Sequence, residues 1–139
     1  MFFKNKIERK QKMEIKKVLV IDNREDMLFL LGEIVKFVLK DGNINVLKAE
    51  RADEGLSLFL KETPEVIFCD IVLPDKPGMI LIKEIREKSS SVKIIAISGY
   101  PHYGEEVISA GANWFLQKPF TIKEIEEILF KISHEEPLE

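Results

Sequence analysis

Hydrophobic and polar positions along the chain fall into five repeats of a short apolar run followed by a helical stripe. Val18-Leu19-Val20-Ile21 is a β-branched run that ends in acid at Asp22, the pattern of a strand buried on both faces. Met27, Leu28, Leu31, Ile34, Val35 and Val38 then recur at helical spacing, and Asp41-Gly42 is expected to stop that helix. Ile44 to Ala49 reads as a weaker second strand, followed by a helix with Leu56, Phe59 and Leu60 inward that ends before Thr63-Pro64. Val66-Ile67-Phe68-Cys69 is a third doubly buried run, again ending in acid, at Asp70. A loop with Pro74, Pro77 and Gly78 leads to a helix through Ile82 and Ile85. Val92 to Ile97 gives a fourth strand, Glu105 to Ala110 a short helix closed by Gly111, and Trp114-Phe115-Leu116 a fifth strand. The last helix has the clearest local signals. Thr121 and Glu124 form a capping box, Phe120 can staple against Ile125, and Ile122, Ile125, Ile128, Leu129 and Ile132 make its apolar stripe.

Alternation of doubly buried strands with helices predicts an α/β fold, a mostly parallel sheet covered on both sides. Right-handed crossovers put the C-terminal end of every strand on one edge, where open sheets of this kind carry their chemistry. The residues to inspect are therefore Asp22, Asn23, Asp70, Ser98 and Lys118. If strands one, three, four and five are neighbours, two carboxylates, a hydroxyl and an ammonium converge there. Two carboxylates ~4 Å apart repel by roughly 4 kcal/mol at an effective dielectric of ~20, so Lys118, a divalent cation or both must compensate. Hard oxygen ligands without thiolate or imidazole suit Mg2+ or Mn2+. A carboxylate beside a metal and a lysine is poised to attack a phosphoryl group, which points to an acyl phosphate on an aspartate.

Composition narrows the alternatives. At 139 residues, 45% hydrophobic and 32% charged, the chain fits one globular domain. No apolar run approaches the ~20 residues that span a bilayer. No signal peptide is evident, and a cytoplasmic location is expected. One cysteine, Cys69, excludes an internal disulfide, and His102 and His134 lack partners at zinc-ligand spacing. Residues 1–17 carry a net +5 and the remainder −8. The acidic body argues against direct DNA binding. The domain reading is a basic leader over 1–15, flexible or partly helical, a folded domain over 16–134 and a short acidic tail over 135–139. The leader could meet an anionic partner or membrane surface; a solvated tail, dispensable if Met13 is the true start, is the simpler reading.

Val18-Leu19-Val20-Ile21-Asp22-Asn23, Asp70-Ile71-Val72-Leu73-Pro74-Asp75-Lys76-Pro77-Gly78, Ile94-Ile95-Ala96-Ile97-Ser98-Gly99 and Lys118-Pro119-Phe120, in that order and at those intervals, resemble the four motif regions of response-regulator receiver domains. Each motif alone is weak, and four in register are strong. The resemblance covers residues 16–133. It implies a flavodoxin-like doubly wound (βα)5 fold with a five-stranded parallel sheet of order 2-1-3-4-5. It further implies that Asp70 accepts phosphate from a sensor histidine kinase or phosphotransfer protein. Asp22, Asp70 and the Val72 backbone carbonyl would hold Mg2+, Lys118 would pair with the Asp70 carboxylate or phosphoryl oxygens, and Ser98 would bond the phosphoryl group. The bond between Lys118 and Pro119 is usually cis in the family. Such a domain is a phosphoacceptor that assists its own phosphorylation and dephosphorylation rather than an enzyme with a separate substrate. Its signal would pass to a downstream protein through the face around Tyr103 to Ser109 and Lys123 to Lys131; a monomer and a homodimer through the last helices are equally compatible with the pattern.

Two departures stand out. Asn23 replaces an acid that usually touches the metal, so weaker Mg2+ binding is expected. Phe115 holds a position that is often tyrosine, so an inward-swinging ring would lack its hydroxyl. Asn23 also suits the N-cap of the first helix, and Ser98 suits a simple strand-end bond to backbone. Cys69 reads as a small core hydrophobe, Trp114 as rim packing and His102 as a solvated loop residue. A degenerate receiver, working as a phosphorylation-independent interaction or dimerisation module, is the alternative that Asn23 keeps open. Flavin or P-loop phosphate binding lacks its glycine-rich loop, since Asp22 to Asp26 is acidic, and a haloacid-type phosphatase would need an acid where Val72 stands.

Overall fold

A computed structural model describes residues 13–40 and 42–134. Five strands, β1 (Lys17–Ile21), β2 (Asn45–Ala49), β3 (Val66–Asp70), β4 (Lys93–Ser98) and β5 (Trp114–Gln117), alternate with five helices. The helices are α1 (Glu25–Leu39), α2 (Ala52–Glu62), α3 (Gly78–Lys88), α4 (Gly104–Ala110) and α5 (Ile122–Ser133), with a 3-10 turn at Pro101–Tyr103. All strand pairs are parallel and the order is β2-β1-β3-β4-β5, as expected for this doubly wound class.

Period-two alternation of the strands divides the core. Val18, Val20, Phe68, Ile95, Ile97 and Leu116 face α1 and α5, where Leu31, Val35, Ile125 and Leu129 meet them. Leu19, Ile21, Ile67, Cys69, Ile94 and Ala96 face the opposite layer, packed on Phe59, Leu81, Ile82, Ile85 and Val107. Both faces of β1, β3 and β4 are thus removed from water, which is why their sequences run apolar rather than alternating.

Several local expectations need correction. Leu60 points to solvent; of the three predicted inward residues of α2 Phe59 is buried and Leu56 half-buried, and Ala52 and Gly55 complete the buried face. Ile122, the first residue of α5, likewise leaves the stripe and is exposed. The capping box of α5 is present: the Glu124 N–H donates to Thr121 Oγ1 at 3.1 Å and the Thr121 N–H to Glu124 Oε1 at 2.8 Å. α1 ends earlier than Asp41-Gly42, at Leu39, with Lys40 in the left-handed region (φ 52°) and its N–H on the Lys36 carbonyl. Asp41, the leader to residue 12 and the acidic tail over 135–139 lie outside the described residues. Within the leader, Ile15 is buried, and the Met13 N–H donates to the Ser133 carbonyl at 3.1 Å. Among the described residues no helix is long and apolar enough to cross a membrane.

Candidate functional site

Parallel register aligns the strand ends. Ile21 pairs with Cys69, Asp70 with Ile97, and Ser98 with Gln117, so Asp22, Asp70, Ser98 and Lys118 stand along one edge of four adjacent strands. The Lys118 N–H donates to the Ser98 carbonyl at 2.9 Å, extending the β5 pairing by one residue to the lysine itself. The Lys118–Pro119 peptide is cis.

The three residues at the ends of β1, β3 and β4 leave their strands by the same device. Asp22 Oδ1 accepts the Arg24 N–H at 2.8 Å, Asp70 Oδ1 accepts the Val72 N–H at 3.0 Å, and Ser98 Oγ accepts the Tyr100 N–H at 3.0 Å. Each side chain turns its own backbone two residues on, the Asx and Ser/Thr turn. One oxygen of each carboxylate is fixed in this way, and the other is left for the pocket. Lys118 Nζ meets both: it lies 3.3 Å from Asp22 Oδ2 and 3.3 Å from Asp70 Oδ2. Ser98 accepts from Tyr100, yet its own O–H remains available to donate, so the strand-end role and a ligand role coexist.

The electrostatics are unbalanced. Asp22 and Asp70 are 1% and 8% exposed at their side chains, and the one ammonium between them leaves a net charge of −1. Burial raises the Asp22 carboxyl above its ordinary value; the Arg24 N–H works against this, the Asp70 charge adds to it, and Lys118 offsets only part. An acid whose folded-state value exceeds its unfolded one has its full share of stability below the unfolded value and loses it as pH rises through the folded value. Ionised Asp22 therefore costs stability at neutral pH. Asp22→Asn keeps an oxygen for the Arg24 N–H and is expected to raise the stability of the metal-free protein at pH 7, a gain that disappears as pH falls below the ordinary carboxylate range. Thermal unfolding in chelator at pH 7 and below that range checks this, and a lower Tm for the variant at pH 7 would contradict it.

Two buried carboxylates with a residual negative charge and no thiolate or imidazole among them fit a hard divalent cation. Asp22 and Asp70 would hold it, with the Val72 carbonyl on the turn that Asp70 Oδ1 organises. The set is lean: among the described residues no three His, Cys, Asp or Glu side chains group as a metal site. Asn23, next to Asp22, would add a neutral amide oxygen to this set and no charge. Its side chain is exposed and forms no hydrogen bond with the described residues, and the N-cap of α1 is Arg24, so the expected capping role is absent.

The remaining candidates fall outside the pocket. Phe115 is half-buried on β5, beside Gly104 at the start of α4. Cys69 is fully buried; burial first, then the charges of Asp70 and Asp22, push its thiol up and keep it unreactive. Trp114 packs half-buried against the core, and exposed His102 lies against the Tyr103 ring at 4.3 Å.

Sequence reasoning named Asp75 and Gly78 in the segment after Asp70 but missed what each does. The Gly78 N–H donates to the Ile71 carbonyl at 2.6 Å, and a Cβ there would run into the Asp70 carbonyl oxygen. Asp75 reaches 23 residues back to the start of α2, where Oδ1 and Oδ2 accept the Ala52 and Asp53 N–H groups at 2.8 and 2.9 Å. Partial burial opposes ionisation of Asp75, but these donors hold its carboxyl down at about 2. The available signal was a deficit: Arg51 stands at the N-cap of α2, where a Ser, Thr, Asp or Asn is wanted.

Comparison with known proteins agrees with this geometry. The family model for the response regulator receiver domain matches residues 18–130. The chemotaxis protein CheY of Thermotoga maritima is 32% identical over 120 residues, covering 85% of this chain and 98% of that protein. The sensory transduction protein LytR of Staphylococcus haemolyticus is 28% identical over 123 residues, 86% of this chain, but the chain spans only 46% of that relative's length. The crystal structure of a CheY-like receiver domain protein from Methanospirillum hungatei superposes with a TM-score of 0.75 at 26% identity, covering 86% of this chain and 94% of that one. With the strand order, the edge constellation and the family match in agreement, the chain belongs to the response-regulator receiver domains.

Proposed function

We propose that Asp70 is a phosphoacceptor that takes a phosphoryl group from the phosphohistidine of a sensor histidine kinase or phosphotransfer protein. The observation that carries this reading is the placement of Lys118 Nζ at 3.3 Å from both strand-end carboxylates. Asp70 Oδ2 attacks phosphorus in line, the P–N bond breaks with its electron pair leaving on the imidazole nitrogen, and a P–O bond forms. Lys118 balances charge as it spreads onto the phosphoryl oxygens, and the Ser98 hydroxyl donates to one of them. Mg2+, when bound, supplies a further fixed positive charge at those oxygens. In this role the domain assists its own phosphorylation and dephosphorylation and has no separate substrate. The output is a shape change at the α4–β5–α5 face, with Ser98 and Phe115 as the moving parts and a downstream protein, or a second copy of the chain, as the reader.

Mass spectrometry after incubation with acetyl phosphate and Mg2+ tests the reading. An adduct of about 80 Da that disappears in Asp70→Asn is expected; no adduct on the wild-type protein would contradict it. A second reading, a degenerate receiver that binds or dimerises without phosphorylation, is favoured by one observation. Asn23, exposed beside Asp22, adds no formal charge to the two acids Asp22 and Asp70. The same absence of an adduct would select it.

A further inference from the structure

The loop between β3 and α3 is tied to the rest of the molecule in an uneven way. Val72, whose carbonyl the metal reading requires, is 57% exposed, so packing does not hold it. Hydrogen bonds do. On its own side of the site the loop is fastened by the Val72 N–H on Asp70 Oδ1, the Gly78 N–H on the Ile71 carbonyl and Lys76 Nζ on Glu84 at 2.9 Å. All of these run within the β3–α3 segment. The Ile71 N–H on the Ile97 carbonyl at 3.1 Å holds the start of the loop to β4, and among the described residues Asp75 is the loop side chain that reaches the β1–α2 side of the sheet edge. It accepts the first two N–H groups of α2, with the Arg51 guanidinium 3.9 Å away. The α2 N-terminus is in turn joined to the Asp22 side, because the Asp22 N–H donates to the carbonyl of Ala49, three residues before Ala52. A circuit results, from Asp22 through Ala49 to Ala52, Asp75 and Val72 to Asp70, and Lys118 closes it between the two acids.

We propose that Asp75 is a positioning residue for the divalent ion, clamping the Asp22 half of the site to the Asp70 half so that the Val72 carbonyl and the two carboxylates face one point. The proposal rests on the metal reading above. Asp75 is too far along the loop to serve as a helix cap by local sequence, and α2 has no side-chain cap of its own. One carboxylate therefore meets two needs: it satisfies donors that would otherwise lack acceptors, and it fixes the distance across the site. Fixing ligands before the ion arrives is what residues behind a metal centre contribute to affinity.

Isothermal titration of the full chain with MgCl2, well below Tm, and hydrogen exchange of the Ala52 and Asp53 amides test this together. Asp75→Ala is expected to weaken Mg2+ binding about tenfold and to expose both amides to exchange. Asp75→Asn, which keeps one acceptor oxygen, should fall between it and wild type. Arg51→Gln removes the long ion pair to Asp75 and an exposed pair to Asp53 at 3.2 Å, leaves the two amide bonds of Asp75 in place, and should change Mg2+ affinity by less than about twofold. If Asp75→Ala or Asp75→Asn loses amide protection yet binds Mg2+ as wild type does, Asp75 is a helix cap and nothing more, and the proposal fails. Absence of Mg2+ binding by the wild-type protein would instead overturn the metal reading beneath it. Should Asp75→Ala not fold, Asp75→Asn decides alone by the same criterion.

Discussion

Lys118→Met is expected to slow phosphoryl incorporation at Asp70 about 100-fold, the effect of deleting one preorganised charge from a reacting site. Methionine keeps the length and apolar stem of lysine, so the sheet edge is left in shape while the charge disappears. Among the described residues, Lys118 is the cation within ion-pair distance of both buried acids. Without it two carboxylates face each other, their Oδ2 atoms no more than about 6.6 Å apart, since each lies 3.3 Å from the same nitrogen. At that separation their repulsion is roughly 2.5 kcal/mol at an effective dielectric of ~20. The metal-free variant should therefore also lose about 2 kcal/mol of stability at pH 7, below the range for fully buried pairs because Lys118 is 24% exposed. A mass-spectrometric time course with acetyl phosphate checks the first effect and thermal unfolding the second. A rate within about threefold of wild type, roughly half a kcal/mol, would remove Lys118 from the chemistry.

Gly78→Ala carries the second large effect, this time through the backbone. The first residue of α3 is placed against the end of β3, and a Cβ there meets the Asp70 carbonyl oxygen, with Ile71 Cα at 2.8 Å and Asp70 C at 3.0 Å. None of these atoms can rotate aside as a side chain would. Either α3 retreats or the Asp70–Ile71 peptide moves. The cost is expected at about 3 kcal/mol, near 10 °C in Tm for a domain of this size. Because the displaced peptide carries the phosphoacceptor, phosphorylation should fall about 100-fold even in the folded fraction. A Tm and a labelling rate both unchanged would show that the β3–α3 junction has slack that the structure does not display.

The fold was legible because its signals are local and repeated. Val18 to Ile21 and Val66 to Cys69 announce doubly buried strands by composition alone, and Thr121 with Glu124 announces the start of α5. The acidic ends of β1 and β3 could be seen as well, and parallel register then brings Asp22, Asp70, Ser98 and Lys118 to one edge. What pattern could not supply was tertiary. Leu60 and Ile122 obey helical spacing yet face water, because periodicity marks a face but not whether a neighbour covers it. Asn23 is a good N-cap residue by type, but α1 begins one residue later, because Asp22 Oδ1 has already turned the chain by binding the Arg24 N–H. Asp75 caps a helix 23 residues upstream, and no local rule connects two such positions. Gly78 was visible as loop punctuation, whereas its close approach to Asp70 is a property of the packed structure.

The central claim is that Lys118 and a divalent ion gather beside Asp70 to receive a phosphoryl group. Beryllofluoride, a phosphoryl mimic, tests it most directly when added to 15N-labelled protein with and without Mg2+. With Mg2+, amide resonances of Val72, Ser98, Phe115 and Lys118 should shift together, and without Mg2+ they should stay in place. Spectra that do not change at saturating reagent and metal would contradict the claim.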